Sequence, residues 1–286
     1  MRLVNFCYGN KSAFGVERSG YVYSLAPAGY LNDLDFFRGG EEALQAARTL
    51  VERGDAEKIP LNNLRLLAPV LKPGKILCVG LNYRDHAIES HMDIPDVPTI
   101  FVKLPNSVTG PEGEIVLPRN SNQPDYEAEL AVVIGRGGRN IRKEDWEQHV
   151  LGFTILNDVS ARDVQLATTQ WTLGKSFDTF APMGPAIVTK DEILDPHSLE
   201  IRLSIDGEEL QHSNTKHLIF KVPDLIAYIS AIVPLEPGDV ISTGTPAGVG
   251  LGRKPPRWLK PGESIVAEIE GIGKLRNRTV SAPAPD

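Results

Sequence analysis

Two glutamates one residue apart, Glu127 and Glu129, open the run Tyr126-Glu127-Ala128-Glu129-Leu130-Ala131-Val132-Val133-Ile134. Alternate side chains of a strand share a face at about 7 Å spacing, so both carboxylates stand on one face with Ala131 and Val133. A third carboxylate, Asp158, closes the apolar run 153–157. Carboxylates gathered at strand ends repel one another unless a cation lies between them. An all-oxygen donor set points to Mg²⁺ or Mn²⁺, with positions left open for water and substrate.

A second pairing lies upstream, where His86 and Glu89 stand three residues apart and so share one face of a helical turn. That arrangement suits a histidine base oriented by a carboxylate. His91, close by, has no acidic residue three positions on. Arg162, Gln165 and Lys175 add cationic and amide donors. The tight loop 243–248 follows an apolar strand and offers its amides, at Gly244 among others, and the Thr245 hydroxyl to a carboxylate. Ser160 and Asp163 are spaced as a capping box opening a helix just past Asp158. Each feature taken singly also fits a solvated side chain or a plain turn.

The elements that must position these residues are mostly strands. Short apolar runs cut by Gly/Pro turns predict strands at 76–79, 99–102, 130–134, 153–156, 199–205, 239–243 and 264–269. Helices are predicted at 143–149 and 222–232, the latter with Leu225, Ile226, Ile229 and Ile232 as an apolar stripe. Residues 1–69 read as a small N-terminal α+β domain with alternating pieces and one helix at 41–53, stopped by Gly54. The Pro69 and Lys72-Pro73-Gly74 breaks place the boundary, which leaves 70–286 as the catalytic domain. The expected class is therefore a mixed, β-rich α+β fold, a sandwich or barrel in place of alternating βαβ units, with a frayed tail from Ser281.

Composition removes several function classes. A count of 30 Lys+Arg against 37 Asp+Glu gives a net charge of −7, and no basic run forms a phosphate-binding stripe, so neither nucleic acid nor an anionic membrane is an expected partner. No window reaches signal-peptide or membrane-span length, which gives a cytoplasmic expectation. Cys7 and Cys78 carry no functional signal. Gly174-Lys175-Ser176 lacks the earlier P-loop glycine, since position 169 is threonine. Pro255-Pro256 follows the glycine-rich 248–252 too closely for a pyrophosphate-binding helix.

The order Gly-x-Asn-Tyr-x-x-His-x-x-Glu (80–89), Glu-x-Glu (127–129), Asn-Asp-x-Ser-Ala-Arg-Asp-x-Gln (157–165), Gly-Lys-Ser-Phe-Asp-Thr (174–179) and Thr-Gly-Thr-Pro (243–246) resembles the fumarylacetoacetate hydrolase family over about residues 70–280. The stretch 252–260 together with 175–180 looks most like its domain-containing-protein-2 branch. The chain departs from the fumarylacetoacetase of tyrosine breakdown, which has a longer leader domain and an extra acidic ligand that the motifs of this sequence do not place. The resemblance implies a β-sandwich or roll catalytic fold, a homodimer, and Mg²⁺ or Mn²⁺ at Glu127, Glu129 and Asp158. It also implies a His86–Glu89 dyad on a mobile lid, with Lys175, Arg162, Gln165 and Thr245 as substrate contacts.

The implied activity is metal-dependent chemistry on a small 2-oxo acid or diacid passing through an enolate, with the metal as Lewis acid and Lys175 adding positive charge. Hydrolysis of a C–C bond in an acylpyruvate or fumarylacetoacetate-like substrate is the leading expectation. Decarboxylation or keto–enol tautomerisation of oxaloacetate would use the same constellation. A non-enzymatic small-acid binding protein with a structural cation is the reading from another class, and the titratable His86–Glu89 pair argues against it.

Overall fold

The computed structural model describes residues 1–9, 11–54, 56–89 and 93–284. Ser90, His91 and Met92 of the expected lid, which spans about residues 84–95, and the last two residues of the expected tail lie outside that set. Two sheets dominate. The strands used below are β1 (Arg2–Tyr8), β2 (Lys11–Arg18), β3 (Tyr21–Ser24), β4 (Lys58–Pro60), β5 (Ile76–Gly80), β6 (Thr99–Lys103), β7 (Glu114–Leu117), β8 (Ala128–Ile134), β9 (Val150–Asn157), β10 (Ala181–Thr189), β11 (Glu200–Ile205), β12 (Glu208–Asn214), β13 (Val240–Ser242), β14 (Ser264–Ile269) and β15 (Gly273–Ser281). The larger sheet runs β4-β3-β2-β1-β10-β9-β8-β13-β5-β6, and the smaller runs β12-β11-β14-β15-β7.

Strand β8 sits near the middle of the larger sheet and is buried along its whole length, as a strand covered on both faces must be. Leu130, Val132 and Ile134 join a core shared with Ile201, Leu203 and Ile205 of β11 and Ile265 of β14. Ala131 and Val133, on the opposite face, join a second core under α1 (Asp33–Arg53), with Phe36, Phe37 and Ala47. The face that carries Glu129 is thus apolar further along the strand, and the acidic residues stand only at its start.

Helix α1 begins earlier than the sequence pattern predicts. The Asn32 side chain caps the Asp35 amide at 2.9 Å, and the helix breaks at Gly40 (φ 54°, ψ −133°), a conformation that a side chain would resist. The predicted 41–53 segment is its second half. Strand β1 pairs antiparallel with β10 (Leu3 opposite Ile187), so the larger sheet runs without a break across position 69. Ser281 pairs with Leu117 as the last residue of β15, so the tail begins later than expected. No helix among the described residues is long and apolar enough to cross a membrane.

The capping box at Ser160 and Asp163 does not form. Ser160 lies on a two-residue strand, its hydroxyl donating to the Asp158 carbonyl at 2.9 Å, while Asp163 accepts from the Ser121 hydroxyl and the Asn122 amide. The short helix α3 (Arg162–Gln165) is capped by neither, because the 121–122 loop competes successfully for the carboxylate.

Candidate active site

The end of the β8–β9 ladder brings the predicted carboxylates together. Ala128 stands opposite Asn157. One step beyond, the Asn157 side chain accepts the Glu127 amide at 3.0 Å, and the Asp158 amide donates to the Glu127 carbonyl at 2.8 Å. Main-chain register therefore sets Glu127 beside Asp158. Glu129 is fixed from β13: its Oε2 accepts the Ser242 hydroxyl at 2.6 Å and the Gly244 amide at 2.9 Å. Gly244 turns with φ +99°, and a Cβ there would lie 2.8 Å from Cβ of Asn82, so the loop needs glycine to present that amide. Glu127, Glu129 and Asp158 each place one oxygen within 4.8 Å of the others, all buried.

Three buried cations pack against this cluster. Lys175, closing the short helix α4 (Thr172–Lys175), lies 2.8 Å from Glu127 Oε2 and 2.9 Å from Asp158 Oδ2. Arg162 donates through Nη2 to Glu127 Oε1 at 2.6 Å, through Nε to Asp125 Oδ2 at 2.8 Å and through Nη1 to Gln165 Oε1 at 3.0 Å. Lys103, at the end of β6, donates to Asp158 Oδ1 at 2.6 Å and to the Val159 carbonyl at 3.0 Å. Burial opposes the charge on Glu127, but Lys175 and Arg162 overcome it and hold its carboxyl at about 2. Burial likewise disfavours the Lys175 ammonium, and the charges of Asp158 and Glu127 outweigh that and raise its pKa.

Glu129 behaves in the opposite way. Burial first, then the like charges of Asp158 and Glu127, push its carboxyl well above the usual range. Among the described ion pairs it alone of the three has no basic partner. Four carboxylates, counting Asp125, face three cations, and the shortfall falls at Glu129. A hard divalent cation fits that donor set and that deficit.

Across a cavity of about 500 Å³ stands the second pairing. Helix α2 (Arg84–Glu89) puts His86 Nδ1 3.2 Å from Glu89 Oε2. Glu89 also accepts the Gly248 amide, at 3.0 and 3.1 Å to its two oxygens. Burial works against this carboxylate, but the contacts from His86 and Gly248 prevail and lower its pKa. With Glu89 ionised, Nδ1 of a neutral His86 donates to it, and Nε2 keeps a lone pair. Trp171 packs edge-on to Phe101 at 5.4 Å in the cavity wall, and the Phe101 ring centroid lies 4.9 Å from Lys175 Nζ.

Of the ten candidate site residues, eight line this cavity, while Asp158 and Gly244 stand behind it against Lys175 and Glu129, and several are turned to other partners. The carboxylate that meets the Gly244 amide is Glu129. The Thr245 hydroxyl donates to the Ala128 carbonyl and accepts from Gln211, and Arg162 is committed to Asp125, Glu127 and Gln165. The glycine loop with no dinucleotide role presents amides to carboxylates instead, Gly248 to Glu89 and Gly250 to Asp125. Sequence reasoning missed Asp125 and Lys103. The first was readable, since Asp125, Glu127 and Glu129 continue one alternation; the second shares a strand face with Phe101, but nothing local marks its partner.

The sequence from 75 to 280 matches the family model described as fumarylacetoacetate (FAA) hydrolase, C-terminal. A Xenopus laevis protein named oxaloacetate tautomerase fahd2, mitochondrial, is 48% identical over 248 residues, covering 86% of this chain and 77% of that protein. The solved fumarylacetoacetate hydrolase of Exiguobacterium antarcticum superposes with a TM-score of 0.87 at 39% identity, over 99% of this chain and 100% of that one. A maleylpyruvate hydrolase from Sphingobium sp. SYK-6, solved with manganese(II) and pyruvate, gives 0.84 at 29% identity with the same coverage.

Proposed function

The chain belongs to the fumarylacetoacetate hydrolase family, in its domain-containing-protein-2 branch, and on that premise we propose that it is a Mg²⁺- or Mn²⁺-dependent enzyme interconverting the keto and enol forms of oxaloacetate. The observation that carries the reading is one cavity with an oriented base on one wall and a cation-deficient carboxylate cluster on the other. The similarity to a named oxaloacetate tautomerase favours proton transfer over the C–C hydrolysis that the sequence motifs put first. Hydrolysis of an acylpyruvate is the second reading, favoured by the likeness to the maleylpyruvate hydrolase solved with pyruvate.

Glu127, Glu129 and Asp158 would hold the metal. When bound, it supplies a Lewis acid for the carboxylate and keto oxygens of a 2-oxo acid. The side chains do the rest. His86 Nε2 takes a proton from C3, and Glu89 steadies the imidazolium that results. Lys175, kept charged by Glu127 and Asp158, adds positive potential where the C2 oxygen becomes negative. The imidazolium then returns that proton to the C2 oxygen, which regenerates the base and consumes no water.

Following the enol absorbance of oxaloacetate with and without Mn²⁺ tests the proposal. We expect faster keto–enol exchange with Mn²⁺ and loss of that gain on chelation. No acceleration, with release of pyruvate from acetylpyruvate instead, would move the assignment to hydrolysis.

A further inference from the structure

The cavity wall carries four basic side chains: His86, Arg162, Lys175 and Lys254. Three are already engaged, His86 by Glu89, Arg162 by Asp125 and Glu127, and Lys175 by Glu127 and Asp158. Lys254 is exposed, and no carboxylate among the described residues lies within ion-pair distance of it. Its loop is nonetheless held in place. The neighbouring Arg253 donates to the Leu210 carbonyl at 2.7 Å, and the Gly250 and Leu251 amides close on buried Asp125 at 2.7 and 3.0 Å. A fixed loop thus presents an uncommitted ammonium to a cavity whose other cations are neutralised by the protein.

We propose that Lys254 binds the distal carboxylate of a 2-oxo diacid and thereby selects diacids over monoacids. The inference rests on the oxaloacetate reading and deepens it. A substrate dianion brings two carboxylates into the cavity, of which only one can join the keto oxygen at the cation that Glu127, Glu129 and Asp158 would hold. The other needs a free cation, and among the described residues Lys254 is the one that lines the wall without an ion pair.

The same contact bears on which reaction follows. Loss of CO₂ from oxaloacetate breaks the C3–C4 bond, the electron pair passes to C3 and on to the C2 oxygen, and the distal carboxylate loses its charge. A cation paired with that carboxylate stabilises the ground state more than this transition state, so it opposes decarboxylation. Tautomerisation moves a proton from C3 to the C2 oxygen and leaves the distal charge intact. Lys254 therefore biases the site toward proton transfer.

The test compares wild type, Lys254→Met and Lys254→Arg in Mn²⁺. Lys254→Met should raise KM for oxaloacetate on the order of tenfold, the scale of one charge-assisted hydrogen bond at a half-open site. It should leave inhibition by pyruvate, which has no distal carboxylate, within about twofold, and should raise pyruvate formed per tautomerisation event, with Lys254→Arg restoring both values. An unchanged KM, or equal weakening toward oxaloacetate and pyruvate, overturns the assignment. If wild type binds pyruvate with Mn²⁺ but does not convert oxaloacetate, the oxaloacetate reading fails separately. Calorimetry with 2-oxoglutarate and pyruvate then decides Lys254: a diacid preference lost in Lys254→Met upholds it, and a preference kept or absent sinks it.

Discussion

Glu127, Glu129 and Asp158 stand at the ends of central strands, each tied by main-chain or side-chain contacts to at least one neighbouring element, and all three are buried. His86 and Glu89 ride on a six-residue helix in which only Ala87 is buried and Ile88 is 75% exposed. One wall of the cavity is therefore set by sheet register, and the other hangs on a few contacts, chiefly the Gly248 amide and the Ser213 hydroxyl to Asp85. A metal-ligating set must be rigid, because ligand oxygens misplaced by a fraction of an ångström lose a hard cation. A base that approaches and leaves a substrate gains from the looser anchorage.

The strongest way to break this contrast acts on the rigid wall. Glu129→Gln should abolish Mn²⁺ binding and activity while the fold stays intact, because an amide oxygen still accepts from Ser242 and Gly244 and no buried cation is stranded. Glu127→Ala should do more, leaving Lys175 and Arg162 short of a partner in the interior at a cost of about 3–5 kcal/mol. Mn²⁺ titration calorimetry beside urea unfolding separates the two; tight Mn²⁺ binding by Glu129→Gln would mean that the cluster is only an ion-pair network.

On the looser wall the expected loss is kinetic. His86→Ala should lower turnover by roughly 10²–10⁴-fold and leave Mn²⁺ affinity unchanged, as expected for proton transfer without ligation. If that variant loses the metal, the division between the walls is wrong.

The smallest effect concerns Glu89. Its pKa is lowered from 4.5, so its contribution to anchoring α2 is present above pH 4.5 and lost as pH falls through the lower folded value. A carbon-13 titration of the Glu89 carboxyl should give a midpoint under 4.5. A midpoint at or above that value would show that burial dominates and that the Gly248 contact does not hold the helix.

Much of the site was legible because it follows short-range periodicity. The alternation through Glu127 and Glu129, the three-residue step from His86 to Glu89 and the apolar runs that became β5, β8, β9 and β14 are local patterns, and backbone geometry alone converts them into faces. The capping box at Ser160 failed because a local pattern also has non-local competitors, here the Ser121 hydroxyl and the Asn122 amide. The sequence offers the amides of the Gly244 loop to a substrate carboxylate, whereas in the structure the Gly244 amide donates to Glu129, a partner that no local pattern names.

By itself, then, the sequence determined which residue types could form a hard-cation site and a base, and which strands would carry them, since those depend on spacing along one chain segment. Only the tertiary structure decided the pairings. Lys103 meets Asp158 from 55 positions away, and Gly244 reaches Glu129 across 115. Such contacts depend on sheet order and register, and a one-residue slip in either strand would turn those side chains to the opposite face.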